Sequence, residues 1–133
     1  MLPVLEHMGV RAISEMPFPV APDLGPDRKE TIWIHDFTLS VMRKPSGEAV
    51  GDIDFGAVRG LFHDVFAGVW RGGAESDGFN RLALQAGMDA RGILVLRAYA
   101  KYLRQAAFTF SQFYIEQTMA NNPAIARLLV ALF

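Results

Sequence analysis

The spacing of apolar residues changes character along this chain, and each change predicts a different element. Leu2, Val4, Leu5 and Met8 fall on one helical face. Pro3 suits an early helical position and Gly9 a C-terminal stop, so residues 3–8 predict a short helix. Val10 to Met16 predicts a strand. Thr31 to Met42 predicts the clearest strand in the chain, with Trp33, Phe37, Leu39 and Val41 on one face and His35 among them. Ile32, Ile34 and Met42 give the other face partial apolar character. Pro17, Pro19, Pro22 and Pro26, with Gly25, predict an irregular connection that cannot belong to a central strand. The two strands are expected to pair as an antiparallel ribbon. A ribbon alone is marginal, so helices or further strands must support it.

After Pro45-Ser46-Gly47-Glu48 and Gly51-Asp52 the period becomes helical. Phe55, Val58, Phe62, Val65, Phe66 and Val69 recur at three- and four-residue steps, with Asp52 or Asp54 as N-cap and Gly72-Gly73 as the stop. Gly56, Gly60 and Gly68 lower the intrinsic stability of this helix by roughly 1 kcal/mol each relative to alanine, so packing must hold it. From there the pattern is all helical. Asp77 caps a short helix carrying Phe79, Leu82, Ala83 and Ala86, closed by Gly87. Asp89 starts a longer helix to about Ala107. Thr109 and Gln112 fit a capping box, with Phe108 and Phe113 at hydrophobic-staple positions. Asn122-Pro123 opens a last helix with asparagine as cap and proline at the first helical position.

Composition narrows the classes. A chain of 133 residues, 51% hydrophobic and 20% charged, can bury a core and fits one domain or a small domain with an extension. A net charge of -1 gives no reason to expect nucleic acid or an anionic membrane as partner. With no cysteine there is no disulfide framework, thiol catalysis or cysteine zinc site. The N-terminal stretch lacks a basic region followed by a long apolar core, and no uncharged run in the helical half could span a bilayer. These features are read as a cytoplasmic, soluble protein.

Both ends carry apolar stripes: Leu2, Val4, Leu5 and Met8 at one, and Ile125, Leu128, Leu129, Leu132 and Phe133 at the other. Terminal residues are more often polar and frayed. A tail helix packed back on its own domain fits the pattern, and so does a segment cut from a longer chain; the residues favour the second.

Candidate chemistry is sparse. His7, His35 and His63 stand apart, with no i, i+4 histidine pair and no His-Glu-x-x-His motif, so no metal ligand set is assigned. His35-Asp36 cannot act as a dyad from one strand, because neighbouring side chains point to opposite faces. A hydrogen-bonded histidine beside a half-buried face is expected instead. Arg71-Gly72-Gly73-Ala74 and Gly47-x-x-x-Gly51 match neither a P-loop nor a dinucleotide fingerprint, so no cofactor-binding residue is assigned. Glu75, Asp77 and Asp89 are read as caps at helix starts rather than acids or bases. No catalytic residue is assigned.

The run from Leu96 to Gln105 is the most specific passage. Arg97, Lys101 and Arg104 form a basic stripe, expected to be solvated or paired with acidic residues. Ile93, Leu96, Ala100, Leu103 and Ala107 form an apolar stripe opposite it. Tyr99 and Tyr102 flank that stripe with apolar rings and polar tips. With Phe108, Phe110, Phe113 and Phe133, they give the helical half more apolar surface than one small bundle can hide. These six aromatics are the candidate interface to other domains or subunits.

These segments resemble the large bacterial NAD-specific glutamate dehydrogenases. The resemblance rests on Ile32-Trp33-Ile34-His35-Asp36-Phe37, on Asp77-Gly78-Phe79-Asn80-Arg81-Leu82, and on Leu96-Arg97-Ala98-Tyr99-Ala100-Lys101-Tyr102-Leu103-Arg104-Gln105 followed by Phe108-Thr109-Phe110-Ser111-Gln112. Leu2 to Arg11 matches the helix and strand that precede the Trp-Ile-His-Asp-Phe strand. The chain departs from the family pattern at Thr38 and at Gly92, and the second weakens the Asp89 helix start. The resemblance implies an α+β fold: a truncated ACT-like, ferredoxin-like αββα unit with an antiparallel strand pair over 1–73, then an all-helical connector over 74–133. The first ACT strand would lie before Met1.

It also implies a non-catalytic regulatory segment whose catalytic lysines and NAD site belong to later sequence. Its partners would be the catalytic and other regulatory domains of the same polypeptide, a homo-oligomer of the intact enzyme, and an amino-acid effector. NAD would be the intact enzyme's cofactor and no cofactor would bind here. A stand-alone ACT-like amino-acid sensor or a helical oligomerisation module are the other readings.

Overall fold

The computed structural model describes residues 1–22 and 30–133. Gly25 and Pro26 of the expected loop lie outside the described residues. A short helix α1 (Leu2–His7) leads into strand β1 (Val10–Val20), which pairs antiparallel with β2 (Ile32–Val41). Helix α2 (Phe55–Trp70) follows. A 3-10 turn (Gly78–Arg81) runs directly into the single helical turn α3 (Leu82–Gln85). Helices α4 (Ala90–Gln105), α5 (Gln112–Asn121) and α6 (Pro123–Val130) complete the chain. The fold is α+β, with the helical segment after the strands.

Between α1 and β1, Gly9 has φ 81° and packs on Arg81. A Cβ there would lie 3.3 Å from Arg81 Cγ, so both the turn and the close approach favour glycine. The ribbon runs from Val10 opposite Val41 to Val20 opposite Ile32, with one irregularity between Ala12 and Ser14. β1 therefore continues beyond Met16, where an irregular connection was expected. Pro17 and Pro19 stand opposite His35 and Trp33. Both strands of a two-stranded ribbon are edges. Two prolines two residues apart turn their donor-less nitrogens to the same outer side, so no ladder bond is lost.

Only the base of the ribbon is packed. Val10 is buried and Val41 half-buried, but Trp33, Ile34 and Ile32 are 55%, 55% and 50% exposed. The half-buried face expected through Trp33 is thus buried only near Val41, with Phe37 part-covered. The helices beneath the sheet reach no further than its base. His35 donates to or accepts from Glu15 at 2.6 Å and its ring lies against Phe37, as expected of a hydrogen-bonded histidine.

The core has two connected clusters. Leu5, Val10, Val58 and Leu84 form one. Met8, Val65, Phe79, Leu82, Ile93, Leu96 and Ala126 are among the members of the other. Phe62 and Phe66 of α2 pack against both, so α2 ties the ribbon's base to the helices. Asp54 caps α2, accepting from the amides of Gly56 and Ala57. Asp77 and Asp89 cap the 3-10 turn and α4 as expected. Gly92 leaves that start intact. Its amide is the one that Asp89 accepts, and a Cβ there would meet the flexible Met88 side chain at 2.8 Å.

Two expected helix ends move. α4 stops at Gln105, and Ala107 takes φ 64° while Phe108 N–H donates to Leu103 and Ala107 N–H to Arg104. This is a Schellman turn with alanine at the left-handed position. Ser111, not Thr109, caps α5 by accepting from Tyr114 N–H, and Gln112 instead donates to Glu116 at 2.8 Å. Asn122 precedes α6 as expected, but its side chain makes no cap bond and donates to the Thr118 carbonyl.

Ala107→Gly should raise stability by about 1 kcal/mol, because alanine at a left-handed φ is strained by that order; urea denaturation reads it. Met8, fully buried between α1 and the helices, should destabilise the chain by about 2–5 kcal/mol when replaced by alanine. The loss should appear in a single transition followed by both near- and far-UV circular dichroism, since the two clusters share α2.

Candidate interdomain interface

One buried cation organises the helical half. Arg97 is 3% exposed. Its Nε donates to Asp77 Oδ2 at 2.6 Å and its Nη2 to Asp77 Oδ1 at 2.9 Å, a two-point fork. Nη2 also donates to Asn80 Oδ1 at 2.7 Å, and Asn80 Nδ2 donates to the Glu75 carbonyl at 2.9 Å. Asp77 meanwhile accepts from Phe79 N–H. The same carboxylate therefore caps the 3-10 turn and anchors it to α4. Next to this fork Lys101 hydrogen-bonds Glu75 at the surface. That bond holds the Glu75 carboxyl below the usual carboxylate range, with smaller pulls from the charges of Lys101 and Arg97.

The expected basic stripe is therefore not a free cationic face. Arg97 lies among the apolar residues and Lys101 is paired with Glu75, as the acidic-pairing reading anticipated. The apolar stripe holds for Ile93, Leu96 and Ala100, which are buried. It fails at Leu103, 38% exposed, and at Ala107, which lies past the helix end.

With α4 anchored on that side, its other flank faces outward. Tyr99 and Tyr102 are exposed, and Phe133 lays its ring 4.7 Å from Tyr99. Past the Schellman turn, Phe108 meets Phe110 edge-on at 5.1 Å, and Phe110 stacks on Tyr114 at 4.8 Å. Phe113 is 65% exposed. The six candidate residues are thus all at the surface; Tyr99 with Phe133 and Phe108 with Phe110 make two aromatic contacts, and Tyr114 joins the second. Leu128 and Leu132 are exposed near Phe133 in sequence and extend the apolar character of α6 and its tail. Sequence reasoning underrated the ribbon, where Ile13, Met16, Phe18 and Val20 are also exposed. The alternation of Met16, Phe18 and Val20 was the available signal, hidden by the intervening prolines.

A hollow of about 400 Å³ lies between β2 and α2, walled by Leu39, Val41, Phe55, Val58 and Phe62, with Arg59 as its charged residue. Among the described residues no cluster of three or more His, Cys, Asp or Glu could hold a metal ion. No described helix is long and apolar enough to cross a membrane. A dinucleotide does not fit the strand-to-helix connection after β2. Its helix amides at Gly56 and Ala57 are already taken by the Asp54 carboxylate, whose charge would repel a pyrophosphate.

An antiparallel strand pair flanked by α1 and α2, then a packed set of short helices, defines a truncated ACT-like unit with a helical module. The comparisons agree. Residues 1–54 match the family model for glutamate dehydrogenase, ACT3 domain, and residues 74–133 that for glutamate dehydrogenase, helical motif 3. The chain belongs to the family of NAD-specific glutamate dehydrogenases and corresponds to their ACT3 and helical motif 3 region. It is 39% identical to the NAD-specific glutamate dehydrogenase of Halomonas elongata over 99% of its own length, and 41% identical to that of Mycobacterium tuberculosis over 100%. It is 36% identical to the Pseudomonas aeruginosa enzyme over 99%. The chain spans about 8% of the length of each of these relatives. No solved structure matches it.

Arg97→Ala should destabilise the chain by about 3 kcal/mol, because it leaves the part-buried Asp77 carboxylate without its partner. Lys101→Ala should change stability by less than about 1 kcal/mol, as expected of an exposed pair. A lowered carboxyl pKa stabilises the fold above the unfolded-state pKa and is lost as pH falls through the folded value. The small difference between Lys101→Ala and the parent chain should therefore vanish in acid; parallel urea titrations at neutral and acid pH measure both effects.

Proposed function

We propose that this chain is a non-catalytic regulatory and structural segment of a glutamate dehydrogenase, and that it works by docking. The division we favour is an ACT-like unit over 1–73 and a helical connector over 74–133. The observation that carries the reading is the pair of exposed aromatic groups around Tyr99, Tyr102, Phe133 and Phe108, Phe110, Phe113 on an otherwise well-anchored helical module. Large apolar rings left at the surface of a module anchored by the Arg97–Asp77 fork fit a contact made with another domain. Catalytic and other regulatory domains of the same polypeptide are the proposed occupants, within a homo-oligomer.

The exposed apolar residues of the ribbon support a second contact of the same kind. An ACT-like sheet has further strands, and a strand added along the ribbon would cover them. The intact enzyme would convert L-glutamate, NAD and water to 2-oxoglutarate, ammonia and NADH, with NAD held elsewhere in the longer chain and a cytoplasmic location to match. An amino-acid effector of ACT type remains part of the proposal for the intact enzyme. Within this chain the hollow between β2 and α2 offers one cation and apolar walls, with no carboxylate to receive an ammonium group.

The purified chain mixed with NAD and L-glutamate should generate no NADH absorbance. Glutamate-dependent NADH production would overturn the non-catalytic reading. Tyr102→Ser and Phe113→Ser should each alter the stability of the isolated chain by no more than about 0.5 kcal/mol. Placed in the full-length enzyme, the same substitutions should weaken its assembly or thermal stability. Unchanged assembly and melting there would count against docking through this face.

A further inference from the structure

The loop before α2 and the start of α6 enclose a different cavity, of about 440 Å³, that the aromatic surface does not use. α6 opens there without a side-chain cap, because the Asn122 amide is committed to the Thr118 carbonyl at 2.9 Å. Pro123 has no N–H, so the first-turn donors are the amides of Ala124 and Ile125, at the positive end of the helix dipole. Gln85 also lines the cavity, is only 9% exposed, and has no partner for either Nε2 or Oε1. A buried primary amide in that state is unfavourable until something fills its bonds.

The charges around the cavity select the ligand. Lys44 reaches Glu48 only at 3.7 Å, and Arg127 makes one long bond, 3.4 Å, to the Ala86 carbonyl, so most of its guanidinium donors are unused. Both line the cavity. Asp52 lines it too and has no hydrogen bond or ion pair among the described residues. Two cations and a helix N-terminus attract an anion, while the Asp52 carboxylate penalises a second negative charge on it. The guanidinium fork and the amide donors receive a flat two-oxygen head, and the Asp52 charge sets a singly charged one above a dianion.

We propose that this cavity binds the carboxylate of a small monoanionic or zwitterionic molecule, between the α6 amides, Arg127 and the Gln85 amide. A simple carboxylic acid and an amino acid both present that head, and an amine beside it would find Asp52. The site is independent of the docking reading, since no residue of the aromatic groups lines it.

The test is a titration of the 133-residue chain with acetate, glycine, inorganic phosphate and chloride at matched ionic strength, followed by amide NMR and thermal melting. Acetate or glycine should give saturable shifts at Ala124, Ile125 and the Gln85 side-chain amide, and should raise Tm. Chloride and phosphate should not. Tighter binding of glycine, lost in Asp52→Asn, assigns an amino acid as the source; equal binding assigns a simple acid. Arg127→Gln should weaken binding about tenfold. Gln85→Leu should raise the Tm of the ligand-free chain and remove the response to carboxylates. A response to chloride or phosphate as large as to acetate, no saturable response at all, or a Gln85→Leu chain that still responds would each overturn the proposal.

Discussion

The two-point bond from Arg97 to Asp77 is the constraint on which the helical half depends. It takes a guanidinium out of water, and Asn80 Oδ1 and the Glu75 carbonyl add further acceptors at Nη2 that help offset that cost. In the same act it fixes the 3-10 turn against α4, so that Phe79 and Leu82 enter the core with 1% and 0% exposure. The rotation of α4 follows. With Arg97 turned inward alongside Ile93, Leu96 and Ala100, Tyr99 and Tyr102 have no route to the core and stand at the surface.

α2 plays the corresponding part for the strands. Its Phe62 and Phe66 touch both clusters, and Met8 carries the end of α1 into the helical core. His7 adds a hydrogen bond to Ser76 at 2.9 Å, and Ser46 N–H donates to Asn121 at 2.8 Å. The ribbon's base is therefore welded to the helices while its far end is bare. This asymmetry suits an element whose apolar faces are met by other polypeptide segments. It also explains why the prolines are tolerated: an edge that needs no inward donor at positions 17 and 19 can accept them.

Much of the architecture was legible. The caps Asp54, Asp77 and Asp89, the stop at Gly72-Gly73 and the proline start of α6 all act locally, within a turn of the residues that encode them. The β1–β2 pairing was legible because alternation has a period no helix shares. The errors came where local signals competed. Thr109 and Gln112 fit a capping box, yet Ser111, two residues on, offers an equally good hydroxyl cap, and α5 starts there. The aromatic groups were legible as surplus apolar residues, but the pairing of Tyr99 with Phe133 joins positions far apart in sequence and needed the fold. Gln85 gave no signal, since a glutamine in a short helix is unremarkable until both its amide atoms are found buried.

The sequence by itself determined the element types, their order and most of their ends, because periodicity and capping are short-range physics written in adjacent residues. It also carried the family resemblance that the comparisons bear out. Only the tertiary structure decided that Arg97 is a core residue and not part of a cationic face. Periodicity places a side chain on a helix face but says nothing about the acceptors opposite it, and a buried guanidinium requires those acceptors in register. The same reason left the β2 face undecided: alternation shows which residues share a side, and only the reach of the packed helices determines which of them are covered.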